Sequence, residues 1–139
     1  MKPTFKAQPM QVQVPATSAN LGPGFDCLGL ALNMHDRYMA QVMDEPGVDI
    51  DVTGEGADNV PTTDKNLVIK AMYKGFDFLG GRPRGIALRQ LNVIPHGRGL
   101  GSSAAAIVGG LALARALVLG GNERMSHEDM LNIANEMEG

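Results

Sequence analysis

The chain has 139 residues, 44% of them apolar, and a formal net charge of −3. That is the size of one domain with apolar content enough for a core, which argues against a disordered chain. Acids and bases are interspersed, so no basic run offers a broad surface to nucleic acid or an anionic membrane. The single cysteine, Cys27, excludes an internal disulfide and argues against a cysteine-based metal site.

One cysteine also suits a reducing compartment. The opening MKPTFKAQPMQV has no apolar core of signal-peptide length. Residues 11–17 (QVQVPAT) alternate and predict a strand, which Pro15 ends or confines to a sheet edge. Residues 18–29 (SANLGPGFDCLG) crowd Gly22, Pro23 and Gly24 together and predict a loop. Leu28, Leu30 and Leu32 resume alternation and suggest a further strand element. Arg37–Met43 and Val48–Thr53 read as two strands, and Glu45-Pro46-Gly47 between them predicts a hairpin.

Asp64 is placed to cap a helix, whose apolar stripe is Val68, Ala71, Met72, Gly75, Phe76 and Leu79, with Gly80-Gly81 as its stop. Residues 85–94 alternate through Ile86 and Leu88 and then through Leu91 and Val93, which predicts a strand with a slip in phase. Residues 100–120 are almost wholly apolar. A membrane span needs about 20 such residues, but Arg115 and four glycines favour a buried helix of a folded domain. A last helix starts at Ser126, with Asp129 completing a capping box and Met130, Ile133, Ala134 and Met137 as its apolar stripe. Strands, a helix, a strand, a glycine loop and two helices make an α+β, two-layer domain over residues 1–139.

The chemistry concentrates in Pro95-His96-Gly97-Arg98-Gly99-Leu100-Gly101-Ser102-Ser103-Ala104-Ala105. Three glycines at alternate positions remove each Cβ that would hold a ligand off the backbone. A helix opens directly after them, and its first N–H groups have no intrahelical partner. With the helix dipole they form an anion site suited to a polyphosphate. One serine hydroxyl can donate to a phosphate oxygen and the other can ligate Mg²⁺. A glycine-rich turn with a serine cap is the plainer reading of the same residues. No Gly-Lys-Ser/Thr occurs, and the spacing is not G-x-G-x-x-G, so neither common nucleotide loop is present. His35, His96 and His127 share no metal-ligand spacing.

The loop resembles the P-x-x-x-G-L-G-S-S-A-A motif of the GHMP kinases and matches it from Pro95 through Gly99 to Ala105. Residues 14–32, VPATSANLGPGFDCLGLAL, closely resemble the opening motif of one branch, the homoserine kinases. The resemblance implies the GHMP kinase N-terminal domain, a fold related to one in a ribosomal protein. It implies ATP-dependent phosphorylation of L-homoserine to O-phospho-L-homoserine, a step toward threonine, in the cytoplasm. By that analogy the backbone of residues 95–105 cradles ATP, Ser103 and Glu138 hold Mg²⁺, Asn20 and Asp26 bind homoserine, and Asn66 lies near the adenine. Asp26 as a general base is the alternative. Glu138-Gly139 match the start of the family motif E-G-H-P-D-N, so the chain is expected to lack a C-terminal ferredoxin-like domain. Alone, it is then expected to bind nucleotide without turnover. Another GHMP small-molecule kinase, or a non-catalytic nucleotide-binding module, is the competing reading. An RNA-binding role is disfavoured by the acidic balance, and a homodimer is left open.

Overall fold

The computed structural model describes residues 2–15, 35–93 and 102–138. Among these residues four strands form one sheet: β1 (Met10–Pro15), β2 (His35–Met43), β3 (Gly47–Gly54) and β4 (Gly85–Asn92). Four helices follow the chain as α1 (Leu67–Phe78), α2 (Ser102–Leu117), the single turn α3 (Gly121–Arg124) and α4 (His127–Glu138). A short 3-10 turn, Ala57–Asn59, precedes α1. The expected loop of 18–29 and the strand element around Leu28–Leu32 lie outside the described residues.

The sheet order is β1-β2-β4-β3. β1 runs antiparallel to β2, β2 antiparallel to β4, and β3 parallel to β4. The expected hairpin between β2 and β3 therefore does not form. The turn at Glu45-Pro46-Gly47 is real, but β4 is inserted between the strands it joins. Gly85 opens β4 inside that turn, where any Cβ would collide with the Glu45 carbonyl, and Gly47 N donates to Arg84 O at 3.2 Å. Sequence proximity favoured the hairpin. The parallel β3–α1–β4 crossover instead places α1 over the sheet, where its apolar stripe is buried.

Among the described residues, helices cover one face only. In β2, Asp36, Tyr38 and Ala40 are buried while Arg37, Met39 and Gln41 are exposed, the alternation of a half-covered sheet. The core joins Val14, Tyr38, Ala40, Ile86 and Leu88 of the sheet to Ile69, Met72 and Phe76 of α1 and Ile107, Leu111 and Leu117 of α2. α2 comes close enough to need glycines. A Cβ on Gly109 would strike the Tyr38 ring, and one on Gly110 would lie 2.6 Å from Ala71 Cβ. Among the described residues no helix is long and apolar enough to cross a membrane.

Two helix starts test the capping expectations. At α4, Asp129 N donates to Ser126 Oγ at 3.0 Å and Ser126 N donates to Asp129 Oδ2 at 2.9 Å, the reciprocal box expected from sequence. At α1 the cap is Asn66 rather than Asp64: its side chain accepts from Val68 N and Ile69 N. Asn66 is fully buried, so it can also bond inward, which an exposed Asp64 cannot. The N-terminal segment is strapped to the far end of α2, with Lys6 N donating to Leu117 O and Leu119 N to Thr4 O. Phe5 packs edge-on to Phe76, ring centroids 5.5 Å apart.

Candidate functional site

β4 ends at Asn92 and α2 begins at Ser102. The glycine loop is thus bracketed by a strand and a helix, the context its phosphate-binding reading requires. Pro95, His96, Gly97, Arg98, Gly99, Leu100 and Gly101 lie outside the described residues, as do Asn20 and Asp26. Ser103 is exposed on the first turn of α2, Ala104 is half-buried, and Ala105 is 2% exposed against the core. No acid occupies the first turn of this 16-residue helix, so no carboxylate competes with an anion there. Glu138 is exposed at the end of α4, and the structure does not bring it to Ser103 through any recorded contact. Among the described residues no three His, Cys, Asp or Glu side chains gather as a metal cluster.

Beside the helix start lies a cavity of about 250 Å³. Asp36, Tyr38, Asn66, Gln90, Asn92 and Ser103 line it, with Pro61 and Leu67 among the others. Its wall is polar where the sheet interior should be apolar. The expected slip in β4 is absent: Ile86, Leu88, Gln90 and Asn92 all face inward, while Leu91 and Val93 remain exposed. The alternation holds its phase, and its last two inward positions carry amides.

Those amides form a chain. Asn66 Nδ2 donates to Pro61 O at 2.9 Å and to Gln90 Oε1 at 3.0 Å, and Gln90 Nε2 donates to Asn92 Oδ1 at 3.0 Å. A buried amide left without partners costs about 1–3 kcal/mol, which explains why the three are linked. Asn66 is here a helix cap and a wall of the cavity, with both its amide hydrogens and its oxygen engaged by protein.

Asp36 sits opposite, 1% exposed. Its Oδ2 accepts from the Tyr38 hydroxyl at 2.9 Å, and its Oδ1 accepts from Val93 N at 2.7 Å. That second bond pins the chain just as it leaves β4 for the glycine loop. Burial first, then the charge and hydrogen bond of Asp36, push the Tyr38 phenol above its ordinary pKa. Asp36, Tyr38, Gln90 and Asn92 were not singled out from sequence. The available signal was polar residues in the inward phase of β2 and β4, which the assumed slip in β4 concealed.

A family model described as the GHMP kinases N terminal domain matches residues 66–139, more than half of the chain. A homoserine kinase of Streptomyces coelicolor is 50% identical over 137 residues, covering 99% of this chain and 44% of the relative. Among solved structures, the homoserine kinase of Cytophaga hutchinsonii superimposes with a TM-score of 0.74 at 32% identity, covering 97% of this chain and 42% of that one. Mevalonate kinase of Methanococcus jannaschii shares the fold, with a TM-score of 0.68 at 16% identity over 96% of this chain and 47% of its own. The chain therefore spans less than half the length of these relatives.

Proposed function

This chain belongs to the GHMP kinase family, and we propose that it forms the N-terminal, nucleotide-binding domain of a kinase that phosphorylates L-homoserine with ATP. The observation that carries the reading is the strand-to-helix junction: β4 ends at Asn92, the G-L-G-S-S-A-A run follows, and α2 starts at Ser102 free of acids in its first turn. The 50% identity to a homoserine kinase over nearly the whole chain supports homoserine as the acceptor.

In this reading the backbone of residues 95–105 holds the triphosphate through N–H groups aimed outward by the helix start. Ser103 and Glu138 are the proposed oxygen ligands of Mg²⁺, which when bound offsets charge on the phosphates. Ser103 suits that role by its exposure on the first turn of α2. Asn20 and Asp26 are the proposed homoserine contacts: a carboxylate accepts from the α-ammonium, and an amide both donates and accepts. Phosphoryl transfer asks the protein for alignment and charge neutralisation more than for covalent participation. A cytoplasmic location is proposed with the same activity. A coupled ADP-release assay on the full-length kinase that carries this domain tests the reading. ADP release that depends on homoserine, with no response to mevalonate or galactose, is expected. Release that ignores homoserine overturns it.

A further inference from the structure

Asn92 is 2% exposed, and its Nδ2 has no hydrogen-bond partner among the described residues. The direction in which this amide faces is dictated from a distance. The N–H groups of Val68 and Ile69 can only donate, so the Asn66 atom that meets them must be Oδ1. That leaves Asn66 Nδ2 to donate to Gln90, which must present Oε1 to it. Gln90 then has only N–H groups to offer Asn92, and Asn92 must meet them with Oδ1. The backbone at the start of α1 thereby sets the polarity of three amides in turn. The last of them is left with a donor and no acceptor.

A buried unpaired donor costs stability, and an apolar residue at the same inward position of β4 avoids that cost. The donor belongs to a side chain lining the cavity of about 250 Å³, and Ser103 of the phosphate-facing helix turn lines the same cavity. This volume is below the roughly 300–1,000 Å³ of pockets for drug-sized ligands, so it suits one ring system joined to a phosphate chain. A nucleobase offers unprotonated ring nitrogens and a ribose offers hydroxyl oxygens, and all of these accept hydrogen bonds. Asn66, the residue that the family resemblance put beside the base, has no N–H left to give.

We propose that Asn92 donates, through Nδ2, to an acceptor atom on the nucleoside part of the bound nucleotide. This inference rests on the nucleotide-binding reading above. It identifies which residue reads the nucleoside, as distinct from the loop that holds the phosphates.

The experiment compares Mg·ATP with Mg·tripolyphosphate, which carries the anionic chain without a nucleoside. Titration calorimetry is run on the wild-type protein and on Asn92→Asp and Asn92→Leu. Asn92→Asp keeps an acceptor for Gln90 and loses the donor but adds a carboxylate charge, for which the uncharged Asn92→Leu is the control. Asn92→Leu removes both, and thermal melting of each variant reports whether the fold survives. ATP affinity is expected to fall about tenfold or more in both variants, with tripolyphosphate affinity unchanged in Asn92→Leu. Unchanged ATP affinity in either folded variant overturns the inference, as does an equal loss for both ligands in Asn92→Leu. Wild-type protein that binds neither ligand overturns the nucleotide reading and this inference with it.

Discussion

β2 and β4 lie side by side, yet the two ends of the face they share are built from different chemistry. Toward the Gly85 end, Ala40, Ile86 and Leu88 are buried among α1 and α2 in an apolar core. Toward the glycine loop, the same inward phase carries Asp36, Gln90 and Asn92, all at most 6% exposed. The pleat treats both ends alike and the side chains do not. Apolar burial stabilises without direction, whereas each buried polar group needs its partner at the right angle. The first end holds the domain together. The second positions the chain where it leaves the sheet for the glycine loop, and it also lines a cavity.

The contrast can be broken most strongly at the apolar end. Leu88→Ala leaves a cavity in a well-packed core, so a loss of about 2–5 kcal/mol is expected in urea unfolding. The nucleotide affinity of the molecules that remain folded should not change, and a large affinity loss would mean that the two ends are not separable. At the polar end, Asp36→Ala strips the Tyr38 hydroxyl and Val93 N of their acceptor. A cost of about 1–3 kcal/mol is expected for buried donors left unmet. Here nucleotide affinity should also fall under conditions where the protein stays folded, because the exit from β4 is no longer pinned. An Asp36→Ala protein with full affinity would reduce this end to scaffolding.

Asn66→Ala sharpens the same point at lower cost. It removes the cap of α1 and one partner of Gln90. About 1 kcal/mol is expected from the cap, read as a drop in the urea midpoint at unchanged slope.

The smallest effect is a matter of pH. Burial first, and then the neighbouring Asp36, raise the Tyr38 phenol above its ordinary pKa in the folded chain. Its contribution to stability is therefore complete below about pH 10 and is lost as pH rises further, since the unfolded phenol ionises first. Tyr38→Phe should be somewhat less stable at pH 8 but show a shallower loss of melting temperature above pH 10. Parallel melting curves for the two proteins across that range would remove the phenol from the account.

Much of this was written locally in the chain. The Ser126–Asp129 box could be read because cap and partner sit three residues apart and need nothing else. The stripe from Val68 to Leu79 could be read because a helix repeats its inward face on a fixed period. The glycine run before Ser102 could be recognised because its motif is one continuous stretch, and the strand before it and the helix after it both form. The polar half of the site was less legible. Gln90 and Asn92 look like ordinary surface residues of an alternating strand until the side that faces the helices is known.

The sequence by itself determined most of the strands and helices among the described residues, because these depend on neighbours within a turn or two. It also carried the family through the run at Pro95–Ala105 and the opening motif at residues 14–32. Only the tertiary structure decided that β4 lies between β2 and β3, that Asn66 rather than Asp64 caps α1, and that Asp36 holds the backbone at Val93 across the sheet. Each of these joins residues far apart in the chain. Local propensity cannot rank such pairings, because the free energy that selects among them comes from burying a shared face and satisfying the polar groups trapped with it.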